Sequence, residues 1–553
     1  MTKTQFAYRS LNEIGLVTGP PSLQDVVGFT KPTGNNRAIK YSPDGRLFAW
    51  ASTTAVEVMD VASGQLLQTI ARPNVMEIDF SPRGTYLLTW ERYIKPESGP
   101  LPTNMLIWET TTGSQMGAFT RKLQSSWGFQ WTPDEQYCAQ LAPNEVQFFD
   151  PTNFGKGIHT RLSMDGIQSF SLSPGQSPSV AAFVPAQKGQ PGHVRLYSIG
   201  NFRQPVCQKT FFKADSVKMI WNTLGTNLLI LASTDVDLTG KSYYGETNLY
   251  YLTVAGNFDC HVVLDKEGPI HDVAWNPNPE IKEFAVVYGY MPARAALFDR
   301  RANLIHDFGT APRNFIGFNP QGRLVAIAGF GNLTGQMDIW DLKTHKKRVT
   351  INASNSTTCE WSPDGRHLMT STLSPRLRVD NGIKVWHHTG SLMFHRLIHE
   401  LYQVAWRPLP VANYPDRSAL SPPPPPCASG TGTNADAKTP TRSVASVGTY
   451  RPPHARGTMT PPSFKREDEI QRSNGKSSLS VDPSSPNAPD VSQMTETEKT
   501  TRIRNINKQL KQISALKKRE EAGEHLEPEK LVKMQKEPAL KLELKALKSK
   551  KPQ

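Results

Sequence analysis

Cysteine is scarce in this sequence and scattered along it. The five, Cys138, Cys207, Cys260, Cys359 and Cys427, include no Cys-x-x-Cys pair. That removes the zinc folds that rest on such pairs, and an odd, dispersed set offers no disulfide framework. The pattern suits a reducing compartment. Long apolar runs are also missing. Nothing reaches the ~18 residues that a membrane-crossing helix requires, and residues 1–6 lack the apolar core of a secretory leader. A cytoplasmic location is the expectation. Hydrophobic residues amount to 37%, less than a globular chain usually holds, so part of the chain is expected to stay unfolded.

Catalytic signatures are absent too. No Gly-x-Ser-x-Gly elbow or His-Glu-x-x-His pair occurs, and no motif places two carboxylates together. Gly240-Lys241-Ser242 resembles the end of a phosphate-binding loop, but the glycine required at position 235 is Asp235. The 13 histidines are dispersed, and His387-His388 reads as a structural pair at a strand end. The sequence therefore predicts no enzyme, no cofactor and no metal site.

What the chain does hold is a repeated turn. Tyr41-Ser42-Pro43-Asp44-Gly45-Arg46 follows the alternating Ile39 and Tyr41 and precedes Leu47 and Ala49. Proline fixes φ, aspartate caps its own backbone and glycine supplies positive φ, so the unit is a tight hairpin between two half-buried strands. Close copies are Phe80-Ser81-Pro82-Arg83-Gly84 and Trp361-Ser362-Pro363-Asp364-Gly365. Looser ones begin at Trp131, Leu172, Trp221, Trp275, Phe318 and Trp406, which makes nine copies spaced 39 to 54 residues apart. A period near 45 with an aromatic before the turn is the mark of a four-stranded propeller blade of WD type. A second recurring element, as in Met105-Leu106-Ile107-Trp108-Glu109 and Met337-Asp338-Ile339-Trp340-Asp341, reads as each blade's third strand. Its aromatics are expected to pack one blade on the next.

The last copy, around Trp406, lacks its later strands, while residues 5–18 hold alternating apolar positions with no blade of their own. The economical solution is that the N-terminal strands complete the last blade and close the ring, leaving no open edge. The expected fold is an all-β propeller of nine blades over residues 1–410, or eight if one loose copy is not a blade.

After Pro410 the composition changes. Pro422 to Pro426 is an unbroken run, and Ser, Thr, Gly and Pro dominate to about residue 495, which reads as a disordered linker over 411–498. Helical spacing returns with Ile503, Ile506, Leu510, Ile513 and Leu516, and again with Leu531, Met534, Leu540, Leu544 and Leu547. Pro538 predicts a kink or break in the second of these helices. The net charge of the chain is +14, and residues 499–553 alone carry +9 of it. Arg502, Arg504, Lys508, Lys511, Lys517, Lys518 and Arg519 are the candidate contacts to a polyanion. In the propeller, the insertion of residues 233–246 offers Lys241 beside Tyr243 and Tyr244, which either stack on a base or form a polar hairpin tip. The loop of residues 374–382 offers Arg376 and Arg378.

Four stretches resemble one family. They are Phe211-Phe212-Lys213-Ala214-Asp215 leading to residues 232–237 and 242–246; Ala328-Gly329-Phe330-Gly331-Asn332 with Gly335-Gln336-Met337; Pro375-Arg376-Leu377-Arg378-Val379 with Asn381-Gly382; and Tyr450-Arg451-Pro452-Pro453. Together with the C-terminal Lys/Leu helices they are similar to the eukaryotic translation initiation factor 2A family. The resemblance implies a nine-bladed propeller, a flexible segment and C-terminal helices. It also implies a non-catalytic factor that binds the small ribosomal subunit and helps deliver methionyl initiator tRNA without GTP, with mRNA and initiation factor 5B as further partners. One departure stands out: residues 457–498 hold only Lys465, Arg466, Arg472 and Lys476 as cations, where the family usually has a dense basic stretch. The other reading of such a ring is a scaffold for protein partners, since one propeller serves many functions.

Overall fold

The computed structural model describes residues 3–95, 101–187, 190–211, 214–234, 245–417, 419–422 and 424, together with Leu510, Ile513, Ser514, Glu537, Pro538 and Lys541. The chain divides into two units, Met1–Thr433 and Asn434–Gln553. The first holds all the strands among the described residues, in nine antiparallel sheets.

Eight of the sheets have four strands taken in sequence order. We number these blades 1 to 8 by the first strand of each: Ala38–Tyr41, Val75–Phe80, Gln130–Trp131, Ser169–Leu172, Ser216–Trp221, Ile270–Trp275, Phe315–Phe318 and Thr358–Trp361. Blade 9 combines Leu401–Trp406 with Gln5–Ser10 and Ile14–Thr18. In every blade the apolar residue before the recurring turn is the last residue of the first strand. The ring closes as the sequence predicts: Phe6 pairs with Trp406 and Tyr8 with Val404. The place of a fourth strand in blade 9 is filled by the connection to blade 1, where the Val26 N–H donates to the Leu16 carbonyl (2.9 Å) and the Thr18 N–H to that of Gln24 (2.8 Å).

No blade has a core of its own. The apolar side chains gather into nine clusters, one at each boundary between neighbouring blades. The cause is the two-residue period of a strand, which sends alternate side chains to opposite faces of the sheet. In the strand Phe284–Tyr288 of blade 6, Phe284, Val286 and Tyr288 face blade 5, while Ala285 and Val287 face blade 7. Phe6, Tyr8 and Val17 face blade 8, and Ala7, Ile14 and Leu16 face blade 1, so the N-terminal strands supply both of the last two boundaries.

Polar groups stitch the same boundaries near the axis. The Gln403 carboxamide oxygen accepts the Ile39 N–H (3.0 Å), that of Gln130 accepts the Leu172 N–H (2.8 Å), and the Asp272 carboxylate accepts the Ile316 N–H (2.9 Å). Each reaches from the first strand of one blade to that of the next. The aromatic before the turn reaches the other way: the Trp361 indole donates to the Gly317 carbonyl (2.8 Å) and that of Trp275 to the Ile220 carbonyl (2.8 Å).

Candidate functional site

Strand order gives the ring two faces. The recurring turns link first to second strands and share one face with the links from third to fourth strands. The links from second to third strands, which include the long insertion, lie on the opposite face with the crossings between blades. We call these the turn face and the insertion face.

On the turn face the repeated motif builds a seam. In blade 1 the Ser42 hydroxyl donates to Asp44 (2.6 Å) and accepts the Leu47 N–H (2.9 Å), and Asp44 accepts the Arg46 N–H (3.0 Å). Gly45 has φ +70°, and a Cβ there would lie 1.9 Å from the Pro408 carbonyl oxygen of blade 9. Gly225 meets Pro174 of blade 4 in the same way, at 1.8 Å. The glycine therefore answers two demands, a left-handed backbone and close approach of the neighbouring blade.

On the insertion face the loops of blades 7 and 8 come together. Arg376 and Arg378 are both exposed. The Arg376 guanidinium lies over Gly331, where a Cβ would come within 2.5 Å of it. Phe330 is a buried plug beside Phe315 (ring centroids 5.2 Å apart), and its backbone is held at both ends by the Asn314 carboxamide (2.9 and 3.0 Å). Asn381 shapes the second loop by donating to the Leu377 (2.7 Å) and Thr372 (3.0 Å) carbonyls. The distinctive glycines, Phe330 and Asn381 thus fix loop geometry, and the arginines are what the loops present. Lys241, Tyr243 and Tyr244 lie outside the described residues, as do Arg502, Arg504, Lys508, Lys511, Lys517, Lys518 and Arg519. In that tail Leu510, Ile513 and Ser514 are helical with Ile513 buried, and so are Glu537, Pro538 and Lys541, with a Lys541–Glu537 ion pair at 2.7 Å. The kink expected at Pro538 falls on neighbours outside the described residues.

Two features of the turn face escape the sequence reading. The chain beyond Pro410 runs on across blades 7 and 8, where the Gln321 amide donates to the Tyr414 carbonyl (3.0 Å) and Arg323 faces Asp416 (3.5 Å). Ser421 reaches the imidazoles of His388 (3.1 Å) and His387 (3.3 Å). Burial pulls the His387 pKa down to about 4 and that of His388 to about 3, with the neighbouring histidines and Arg348 adding to the effect. Both rings are thus neutral at ordinary pH, and no group suited to a metal ion forms among the described residues. The second feature is a cleft at blades 5 and 6 lined by Lys282, Arg300 and Arg301. Its signal in the sequence is the Arg300-Arg301 doublet one residue beyond the strand ending Leu297-Phe298. Near the axis burial lifts the carboxyls of Asp272 and Glu360 and lowers the Arg9 guanidinium to about 10. Arg9 donates to Gln403 (2.8 Å) and the Asn36 carbonyl (2.9 Å) and stacks over Tyr402, so it belongs to the ring closure.

Comparison with known proteins agrees with this anatomy. Residues 209–404 match the family model described as Eukaryotic translation initiation factor eIF2A. The eukaryotic translation initiation factor 2A of Schizosaccharomyces pombe is 44% identical over 99% of this chain and 98% of its own length. That of Dictyostelium discoideum is 33% identical over 99% of this chain and 92% of its own. A crystal structure of a eukaryotic initiation factor, 46% identical, superposes with a TM-score of 0.69 over 74% of this chain and 100% of that one. The match runs through the propeller and beyond it, so this chain belongs to the eukaryotic translation initiation factor 2A family.

Proposed function

We propose that this chain binds the small ribosomal subunit and helps deliver methionyl initiator tRNA to it without GTP, in alternative or stress-related initiation in the cytoplasm. The observation that carries the reading is the likeness, over nearly the whole chain, to initiation factors of the 2A family. The loops of residues 329–335 and 374–382 support it, since they meet on one face and expose Arg376 and Arg378. In this reading the propeller, residues 1–410, is a rigid platform without catalytic groups. Lys241, Tyr243, Tyr244, Arg376 and Arg378 are its RNA contacts. A linker, 411–498, carries the basic helices of 499–553, whose Arg502, Arg504, Lys508, Lys511, Lys517, Lys518 and Arg519 hold RNA phosphates. Messenger RNA and initiation factor 5B are further partners of the same region.

Affinity built on phosphate contacts falls with salt, by a slope of about 0.7–0.9 per phosphate neutralised. The test is co-sedimentation with purified small ribosomal subunits at low and physiological salt. It compares the full chain, a 1–498 truncation and the Arg376→Glu/Arg378→Glu variant. Binding by the full chain, weakened and made less salt-sensitive by the truncation and weakened again by the variant, is the expected result. Equal binding by all three removes these residues from the interface. No binding by any of them sinks the ribosomal reading and leaves a scaffold for protein partners.

A further inference from the structure

We propose that the turn-face cleft between blades 5 and 6 is a binding site for single-stranded RNA, with phosphates on Lys282, Arg300 and Arg301 and an unpaired base against Phe258. The inference rests on the RNA-binding reading above and places a contact on the face opposite the loops named there.

The cleft has a volume of about 620 Å³, within the range of pockets that enclose small ligands. Its floor is aromatic. Tyr251 is buried and accepts a hydrogen bond from the Asn227 amide (2.7 Å). The Phe258 ring is half-buried, packed against the cluster between blades 5 and 6, and stands edge-on to Tyr251, with centroids 5.6 Å apart and planes at 70°. Asn257 lies beside it as a polar contact for a base edge. The walls are cationic. Lys282, Arg300 and Arg301 are exposed, and none has a carboxylate partner among the described residues. Asp299, which precedes the arginine pair, is engaged by its own turn, accepting the Arg301 N–H (2.7 Å) and the Asn303 N–H (2.8 Å).

The positive surface continues into blade 7. His345 stacks on His306 of blade 6 (ring centroids 5.0 Å apart), and Lys343 on the same link and Lys346 at the start of the next strand are exposed. A run of unpaired cations along a rim follows a phosphate backbone. An aromatic ring set among them serves a splayed base, which every unpaired nucleotide offers and a duplex conceals. An acidic peptide would use the cations and leave Phe258 idle, and that distinguishes the two ligands.

The probe is a short fluorescent oligouridylate carrying 4-thiouridine, used with the full chain. Photocrosslinking is expected to map to the peptide containing Phe258. The Lys282→Ala/Arg300→Ala/Arg301→Ala variant is expected to abolish that crosslink and to reduce the salt slope of binding by about 2, three phosphates at about 0.7 each. Phe258→Leu is expected to weaken binding about tenfold with an unchanged salt slope. Crosslinks confined to other segments, a salt slope unaltered in the triple variant, or competition by polyglutamate equal to that by RNA would each overturn the proposal. Sedimentation of the same variants with ribosomal subunits separates the two readings. Subunit binding without oligouridylate binding removes the cleft alone. Cleft-dependent RNA binding without subunit binding removes the ribosomal assignment alone.

Discussion

Replacing Phe6 by alanine should open the ring at one place. Phe6 is fully buried between blades 8 and 9, its ring 5.3 Å from that of Trp406 and 5.9 Å from that of Phe394. Truncating a buried phenylalanine to alanine costs about 3–5 kcal/mol, and a leucine in its place about 1–1.5 kcal/mol. Phe183 in blade 4 is buried to the same degree, so Phe183→Ala should lower global stability by a similar amount. The two variants differ in where the loss appears. The strand Ser179–Val184 is held by its own blade on both sides, whereas Gln5–Ser10 is joined to Leu401–Trp406 only by pairing and packing. A loss of about 4 kcal/mol concentrated there raises local opening about 700-fold, at about tenfold per 1.4 kcal/mol. Hydrogen exchange read by mass spectrometry should then show faster exchange over residues 5–18 and 401–406 in Phe6→Ala and not in Phe183→Ala. Urea titration gives the global term. Equal exchange in the two variants, or a loss below about 1 kcal/mol for Phe6→Ala, would refute the account of closure.

Gly45→Ala should destabilise by about 2 kcal/mol or more, because alanine meets both a φ of +70° and the Pro408 carbonyl. Thermal unfolding measures it, and a neutral result would mean that the seam yields. Gly64 has a similar φ, +71°, but open space around it, so Gly64→Ala should cost only the backbone share, about 1 kcal/mol. His387 and His388 have folded pKa values of about 4 and about 3, below the unfolded value of about 6.5. The unfolded chain therefore binds protons first. Their contribution is complete above pH ~6.5 and shrinks as pH falls, by the order of 3 kcal/mol for either ring by pH ~4. The buried carboxyls of Asp272 and Glu360 act in the opposite sense over part of that window. The check is accordingly a difference: urea midpoints at pH 7 and 5 for the natural chain and for His388→Gln, which should show the shallower pH dependence.

The repeating parts of the fold were legible because local chemistry writes them. A proline, an aspartate and a glycine in order specify a turn wherever they occur, and each leading aromatic or apolar residue from Tyr41 to Trp406 ends a first strand. Closure was legible from two incomplete pieces, residues 5–18 and the strand at Trp406. What could not be read were relations between blades. Nothing in the sequence says that Gly45 nests against Pro408, that Gln403 reaches Ile39, or that Arg376 covers Gly331. The docking of Tyr414, Asp416 and Ser421 was hidden for another reason. Tyr414 is held by its backbone carbonyl, and a carbonyl has no letter in the sequence. The cations of the cleft come from separate links, Lys282 from one and Arg300 and Arg301 from another, and only the sheet brings them together.

Joining the first strands to the last also sets a schedule. During synthesis at about 5–20 residues per second, some 20–80 seconds pass between the emergence of Gln5–Ser10 and that of their partner Leu401–Trp406. Through that interval Gln5–Ser10 has Ile14–Thr18 on one side and no partner on the other, and Phe6, Tyr8 and Val17 wait for blade 8 to cover them. A ring sealed by strands from its two ends stays an open arc until Leu401–Trp406 arrives, with one unpaired strand edge at Gln5–Ser10 that only the last blade can cover.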